Sequence, residues 1–276
     1  MYLCPLCHQP LTENPAGYHC AARHQFDRAK EGYLHLLPVQ QKKSLDPGDN
    51  AAMIQARRAF LTAGFYQPLS DAVNQILRSV LTSPQPVVLD IGCGEGYYSA
   101  RLHTDLTQQG RPPALYGIDI SKAAVKAAAK KYPLLRFAVA SSYQLPFATA
   151  SVDALLRIYA PSLASELARV ATAGGWLCTV TPAPHHLVEI KQRIYPTVRL
   201  HSQDINTEQG FSHRKRQQLS WMFQPATPEE LDLLLQMIPL GYRVTDEVRS
   251  RLLADLPGIT LDFYLDLYQR DHPEVQ

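Results

Sequence analysis

The stretch VVLDIGCGEGYYSARL (residues 87–102) predicts a buried strand, a glycine-rich turn and the start of a helix, in that order. Downstream, apolar runs such as LYGIDIS (115–121) and GGWLCTVTP (174–182) alternate with helical segments such as KAAVKAAAKKY (122–132). Because parallel strands need helical crossovers, this alternation predicts a parallel sheet of the doubly wound α/β type. In such a sheet, ligands bind at the carboxyl ends of the strands, where the strand order reverses.

The glycine-rich turn narrows the kind of ligand. A dinucleotide-binding turn needs the spacing G-x-G-x-x-G, but residues 92–96 give G-x-G-x-G, and Tyr97 stands where the last glycine belongs. This spacing favours a cofactor that has no pyrophosphate. Asp119 ends the next predicted strand, where its carboxylate can accept both hydroxyls of a ribose. Asp90, just before the turn, is predicted to orient the loop rather than to touch the reacting group.

A second motif, CPLCHQPLTENPAGYHCAARH (residues 4–24), has the pattern C-x2-C-x12-C-x3-H. Two turns that each supply a pair of thiol or imidazole ligands are typical of a tetrahedral zinc site, and four ligands leave no open coordination position. We therefore predict one structural zinc in a small N-terminal zinc-ribbon domain. Its predicted ligands are Cys4, Cys7, Cys20 and His24. The alternative is four residues without a metal, and His8 and His19 are not predicted to be ligands.

Composition sets outer limits on the function. The 276 residues carry a net charge of +2, which argues against bulk nucleic-acid binding by an evenly basic surface. Two local basic clusters, QARR (residues 55–58) and HRKR (213–216), are either phosphate contacts or ordinary solvated faces. No stretch has the roughly 18 apolar residues of a membrane helix, and no signal peptide is recognisable, so we expect a cytoplasmic protein without a membrane partner.

The stretches LDIGCGEG, GIDIS and ASSYQLPF together resemble the class I S-adenosylmethionine-dependent methyltransferases, which have a Rossmann-like α/β fold. This resemblance implies that S-adenosylmethionine is the cosubstrate. It also implies that Asp119 holds the ribose, that residues of the glycine-rich turn border the methionine part, and that two serines lie near the adenine. The turn residues are Gly92, Cys93, Gly94 and Glu95, and the serines are Ser141 and Ser142.

The cysteine motif, followed by HQFDRAKEGYLHLLPVQ, DPGDNAAMIQARRAFLTAGFYQPL, RIYAP and TPAPHHL, resembles the bacterial 23S rRNA (guanine-N1)-methyltransferases. The resemblance implies methylation of guanine N1 in hairpin 35 of 23S rRNA, closer to the Gram-negative branch (position 745 type) than to the sister branch of macrolide resistance. It suggests a homodimer. Further cofactor contacts implied by the resemblance are Tyr66, Tyr98, Ser99 and His186.

The chemistry of the reaction leaves the base unassigned. N1 of guanine carries a proton at neutral pH, so a base must remove it before or during methyl transfer. RIYAP (residues 157–161) follows the fourth strand of the methyltransferase domain, where we expect Tyr159 to stack on or hydrogen-bond the guanine and Arg157 to stabilise charge on O6. Packing of Tyr159 and an ion pair of Arg157 are the alternatives.

We predict three segments. Residues 1–36 form a zinc-binding RNA-recognition unit, 37–85 a linker and helical segment, and 86–276 the methyltransferase domain. Aromatic and cationic residues for RNA loops lie near the zinc ligands, although Phe26 is equally suited to packing the small core of the zinc ribbon, and Tyr18 is less suited to it. Two other functions compete, namely a small-molecule methyltransferase, which leaves the zinc motif unexplained, and an RNA-binding protein whose methyltransferase fold is only a scaffold.

Overall fold

A computed structural model describes residues 1–38 and 51–272. The chain forms one small and one large sheet. The strands are β1 (Thr12–Asn14), β2 (Gly17–His19), β3 (Gln25–Asp27), β4 (Leu34–His35), β5 (Val87–Ile91), β6 (Ala114–Asp119), β7 (Arg136–Val139), β8 (Val152–Ile158), β9 (Ala171–Pro182), β10 (Phe211–Phe223) and β11 (Ile259–Arg270). The helices are α1 (Ala51–Thr62), α2 (Gln67–Val80), α3 (Tyr97–Gln108), α4 (Lys122–Lys131), α5 (Ala164–Val170), α6 (Val188–Ile194), α7 (Pro228–Met237) and α8 (Asp246–Asp255).

The large sheet has eight strands in the order β10-β11-β9-β8-β5-β6-β7-β4. The six strands from β9 to β4 are parallel, which confirms the predicted doubly wound sheet. The last two strands of the chain, β10 and β11, are antiparallel additions at one edge. The strand order reverses between β5 and β8, so the crevice for a ligand lies beside the glycine-rich turn that follows β5.

The zinc ribbon (residues 1–36) is joined to the large sheet rather than tethered beside it. Its last strand, β4, pairs with β7 in parallel, so the chain enters the large sheet before residue 36. The predicted boundaries at residues 36 and 85 remain a prediction. Residues 39–50 of the predicted linker lie outside the described residues, and the rest of that segment holds α1 and α2.

Two apolar cores lie on the two faces of the large sheet. On one face, α2, α3, α4 and α7 pack against the strands through leucines such as Leu69, Leu102 and Leu234. On the other face, α5 covers part of the sheet and the zinc ribbon covers much of the rest. In this second core Tyr2 packs edge-to-face against Tyr116 and also contacts Phe147. The zinc ribbon therefore takes the place of a covering helix.

Local signals in the sequence explain several element ends. The Asn14 side chain accepts the N–H groups of Ala16 and Gly17, which closes the turn between β1 and β2. Thr227 caps α7 by accepting the N–H of Glu230. Within the described residues, we find no helix with the length and apolar character that crossing a bilayer requires.

Candidate active site and metal centre

The four predicted metal ligands converge in the zinc ribbon. One ligand atom from each of Cys4, Cys7, Cys20 and His24 lies within 4.8 Å of every other. The Nδ1 atom of His24 is 3.4 Å from the sulfur atoms of both Cys4 and Cys20, and the sulfur atoms of Cys7 and Cys20 are 3.6 Å apart. His8 and His19 are not part of this cluster.

These spacings fit a zinc ion. A tetrahedron with Zn–S bonds of about 2.3 Å and a Zn–N bond of about 2.0 Å has S···S edges of about 3.8 Å and S···N edges of about 3.5 Å. The observed separations of 3.4 to 3.6 Å are close to those edges. Since three thiolates and one imidazole complete the coordination, the ion is structural and has no position for a substrate.

The glycine-rich turn after β5 has three glycines in the left-handed region of backbone conformation. A Cβ atom on Gly92 would lie 2.4 Å from Cβ of Ala160, and one on Gly96 would lie 2.8 Å from the ring of Phe137. Gly94 faces open space, with nothing within 4 Å of a Cβ at that position. Gly92 and Gly96 are therefore needed for close packing, while the backbone at Gly94 is accessible to a ligand.

Asp119, at the end of β6, holds this turn from the neighbouring strand. Its two carboxylate oxygens accept the N–H groups of Gly94, at 3.0 Å, and Ser121, at 2.8 Å. The N–H of Ala140 donates to the carbonyl oxygen of Asp119, which brings the segment of Ser141 and Ser142 to the same edge. The structure thus gathers the predicted methionine, ribose and adenine contacts around one crevice, and their binding of the cofactor stays a prediction.

Asp90 stabilises the glycine-rich turn through a hydrogen bond with α3. Its buried carboxylate accepts the hydroxyl hydrogen of Ser99, which joins the end of β5 to the first turn of α3. Burial raises the pKa of Asp90 to about 7, and the hydrogen bond from Ser99 opposes this shift. The hydroxyl of Ser99 is therefore committed to Asp90, and a part for Ser99 in cofactor binding stays a prediction.

The Asp90→Asn variant should gain stability relative to the wild type as the pH rises. A carboxyl group whose pKa is higher in the folded state than the roughly 3.9 of the unfolded state costs stability as pH rises between those two values. Asparagine keeps an acceptor for Ser99 and removes the ionisation. We expect the difference in unfolding free energy to grow by about 2 kcal/mol between about pH 5 and about pH 7, measured by urea unfolding. Equal differences at both pH values would contradict this origin.

Glu95, also in the turn, is paired with a helix that lies between β4 and β5 in the chain. Arg58 of α1 donates two hydrogen bonds to the Glu95 carboxylate, one of them at 3.1 Å. Its neighbour Arg57 donates to the carbonyl oxygen of Met237 at the end of α7. Both arginines of the QARR cluster are thus engaged within the protein, which favours a structural role for this cluster over phosphate binding.

A cluster of rings, called here the aromatic wall, packs together at the carboxyl edge of the sheet next to this crevice. The rings are those of Tyr66, Tyr159, His186, Trp221 and Phe263. Phe263 lies at the centre, with its ring 4.7 Å from that of His186, 5.3 Å from that of Trp221 and 5.4 Å from that of Tyr66. Tyr98, a further predicted cofactor contact, is half-buried in the first turn of α3.

Tyr159 is the exposed member of the aromatic wall. Its side chain is 48% accessible, its φ angle is +56°, and its ring contacts those of His186 and Phe263. A left-handed tyrosine is strained unless its surroundings hold it, and such strain is concentrated at functional sites. Because about half of its side chain is accessible, the ring of Tyr159 lies at the surface of the aromatic wall, where a flat ligand can stack on it.

His186 has a fixed protonation state. Its Nδ1 atom accepts the backbone N–H of Asp262 at 3.2 Å, so in the neutral ring Nε2 carries the hydrogen. Burial, together with Lys191 and His201, lowers the pKa of His186 to about 3. The imidazole is thus a neutral hydrogen-bond donor at Nε2.

Arg157, the second residue with a predicted catalytic part, forms an ion pair with Glu208 and donates to the hydroxyl of Ser162 at 2.7 Å. Side-chain accessibilities of 13% for Arg157 and 8% for Glu208 place this pair largely inside the protein. The ion pair that was the alternative role for Arg157 is therefore present, although it is buried and not at the surface. A direct part for Arg157 at guanine O6 stays a prediction.

Sequence reasoning missed the residues that β10, β11 and the segment after β9 bring to this edge. Trp221 and Phe263 come from the antiparallel pair, and Lys191 and His201 lie beside His186. No spacing pattern marks Trp221 and Phe263, because their proximity depends on the register of β10 against β11. The HRKR cluster (213–216) lies on β10, where His213 and Arg216 bind the buried Asp266.

The doubly wound sheet with its glycine-rich turn, joined to a zinc ribbon, fits the fold of the class I S-adenosylmethionine-dependent methyltransferases. Two family models match in agreement with this class. Residues 88–175 match the model described as a methyltransferase domain, and residues 2–45 match the one described as "RlmA, N-terminal", a zinc ribbon.

Relatives identify the particular family. The chain is 31% identical, over 93% of its length and 91% of the relative's, to the 23S rRNA (guanine(748)-N(1))-methyltransferase of Streptomyces fradiae. Proteins of Micromonospora griseorubida (35% identity over 69% of this chain and 68% of the relative) and Bacillus subtilis (27% over 97% and 95%) carry provisional names as 23S rRNA (guanine-N(1)-)-methyltransferases. The chain belongs to the family of 23S rRNA (guanine-N1)-methyltransferases.

Proposed function

We propose that this enzyme methylates N1 of a guanine in hairpin 35 of 23S rRNA, at the position-745 type of site. Membership of the family supports the nucleobase and the RNA, and the exposed ring of Tyr159 at the cofactor crevice supports a base held by stacking. RNA loops present unstacked bases that aromatic side chains bind, whereas the grooves of RNA helices offer little sequence information. We also infer that the enzyme works in the cytoplasm, where its substrate is, and that two copies associate as the family resemblance suggests.

S-Adenosylmethionine supplies an activated methyl group on a sulfonium. The crevice residues align it, with Asp119 predicted to hold the ribose, and the backbone at Gly94 leaves room for the ligand. Tyr159 positions the guanine ring, and the Nε2–H group of His186 gives the same edge a neutral donor. The zinc ribbon is proposed to contact the RNA outside the target base, through exposed cations such as Arg23 and Lys30. Tyr18 and Phe26 pack against the second core, which favours their structural alternative.

The test is to incubate the enzyme with labelled S-adenosylmethionine and unmodified 23S rRNA, followed by reverse transcription and nucleoside mass spectrometry. A methyl group on N1 blocks base pairing, so reverse transcriptase should stop at one guanine of hairpin 35, and the digest should contain 1-methylguanosine. The relative from Streptomyces fradiae acts at guanine 748 by its name, so a stop there would place this enzyme in that branch. Transfer only to small-molecule acceptors would reject the proposal.

Two substitutions at Tyr159 separate stacking from hydrogen bonding. Tyr159→Ala should raise the KM for RNA by about 5- to 150-fold, since stacking of one base on an aromatic ring contributes about 1–3 kcal/mol. Tyr159→Phe keeps the ring and should stay close to the wild-type value. Steady-state kinetics with a hairpin-35 transcript give both numbers. A Phe variant as impaired as the Ala variant would assign the role to the hydroxyl instead.

A further inference from the structure

Lys191 and His201 form a hydrogen-bonded pair beside the aromatic wall. Neither residue has a role in the function proposed above. Nζ of Lys191, on α6, is 2.8 Å from Nε2 of His201, which lies in the loop before β10. Lys191 is only 8% accessible, yet among the described residues no carboxylate lies within ion-pair distance of it. A buried amine that has an imidazole as its partner instead of a carboxylate is unusual for a purely structural lysine.

The pair adjoins the predicted site of the guanine through one ring. The ring of His201 is 6.5 Å from that of His186, which is in turn 6.3 Å from that of Tyr159. The other charged groups on the elements around α6 have partners of their own. Glu189 accepts from Thr260, Arg193 pairs with Asp255, and Asp262 accepts from His185 and Gln218.

Other groups at this edge are already engaged in hydrogen bonds within the protein. The Nδ1 atom of His186 is occupied by a backbone N–H, and its Nε2 atom carries the hydrogen. Each carboxylate near the crevice already accepts hydrogen bonds from the protein. These contacts are Asp90 with Ser99, Asp119 with Gly94 and Ser121, Glu95 with Arg58, and Asp262 with His185 and Gln218. His185, exposed on the same turn, is the competing acceptor.

We propose that the Lys191–His201 pair accepts the proton that guanine N1 loses during methyl transfer, an inference that rests on the proposed function. The N1–H bond breaks and its proton passes to the deprotonated pair, which becomes an ammonium group hydrogen-bonded to a neutral imidazole. The N1 lone pair forms the bond to the methyl carbon, and the electrons of the broken C–S bond stay on sulfur. The proton then leaves the pair to water.

The environment favours the deprotonated form of the pair. Only one of the two nitrogen atoms can hold the hydrogen between them, so the pair titrates as a unit. Burial lowers the pKa of Lys191, and burial together with the Lys191 charge lowers that of His201. The pair must be deprotonated before it can accept, so the rate of methyl transfer should rise with pH and level off once the pair has lost its proton.

The experiment measures single-turnover methyl transfer to a hairpin-35 transcript from about pH 6 to about pH 9. Lys191→Met should lower the rate near neutral pH by about 10²- to 10⁴-fold and abolish the plateau, so that the rate keeps rising with hydroxide concentration. Lys191→Arg should be equally impaired, because a guanidinium does not lose its proton in this range. Lys130→Met, at an exposed position of α4, is the matched control and should leave rate and profile unchanged.

Three results would overturn the inference. If Lys191→Arg kept the wild-type rate, Lys191 would act as a fixed cation. If the lower rate were explained entirely by weaker RNA binding, measured as the Kd of the transcript, Lys191 would serve only to bind RNA. If His185→Gln abolished the plateau of the pH–rate profile and the Lys191 variants kept it, His185 would be the proton acceptor. His201→Gln, in a half-buried loop position, repeats the test should Lys191 variants fail to fold. A wild-type enzyme that makes no 1-methylguanosine would instead refute the proposed function.

Discussion

Replacing Asp119 with alanine should raise the Kd for S-adenosylmethionine by about 10²-fold or more and lower kcat/KM by at least as much. The carboxylate accepts the N–H groups of Gly94 and Ser121, so its removal releases the turn that the cofactor must approach. Each hydrogen bond to an ionised group contributes about 1.5–3 kcal/mol, and the predicted ribose contact would be lost as well. Calorimetric titration with the cofactor gives the Kd, and single-turnover assays give the rate.

Glu229→Ala is the matched control, because Glu229 is an exposed acid in the first turn of α7. It should bind the cofactor as the wild type does. Circular dichroism should show that both variants retain the fold. Unchanged cofactor affinity in Asp119→Ala would contradict the proposed ribose contact and the importance of this carboxylate for the turn.

Replacing Cys20 with alanine should cost the protein its zinc and destabilise both sheets. Cys20 is buried between Cys7 and His24 in the ligand cluster. Zinc binding to such sites contributes about 10–16 kcal/mol of apparent free energy, which is comparable to the whole stability of a domain. Since the zinc ribbon covers one face of the large sheet, its unfolding should also expose the second core around Tyr116 and Phe147.

Hydrogen exchange measures whether unfolding of the zinc ribbon extends to the large sheet. Amides of β6 and β7 should lose protection in Cys20→Ala, and the zinc content by elemental analysis should fall from one ion per chain to none. His8→Ala changes a neighbouring imidazole outside the cluster and should keep the metal and the protection. A Cys20→Ala protein that loses zinc but keeps β6 and β7 protected would show that the zinc ribbon is a separable module.

The sequence predicts the parallel part of the fold because its signals are local. VVLDI and LYGIDI are mainly apolar runs followed by glycine or by a capping serine, and they form most of β5 and β6. The zinc site is predictable for the same reason, since ligand spacing within 21 residues determines its geometry. The antiparallel pairing of β10 with β11 depends on contacts between residues far apart in the chain, which periodicity does not reveal.

The candidate site shows the same division. The glycine-rich turn and Asp119 are recognisable from residue type and spacing, and the structure brings them together. Trp221 and Phe263 are not recognisable as site residues from the sequence, because an aromatic residue in a strand is far more often part of a core. The pairing of Arg58 with Glu95 joins α1 to the turn, and nothing in the local sequence distinguishes it from a phosphate contact.

The position of the zinc ribbon has a consequence for biosynthesis. Residues 1–36 are synthesised before the surface that receives Tyr2 and Leu36, which is complete only when Phe147 has been made. At about 5–20 residues per second, the intervening chain of about 110 residues takes roughly 5–20 s to translate. During this interval the nascent zinc ribbon shows its apolar side to water. Early capture of zinc would keep that side in its final shape until the sheet arrives.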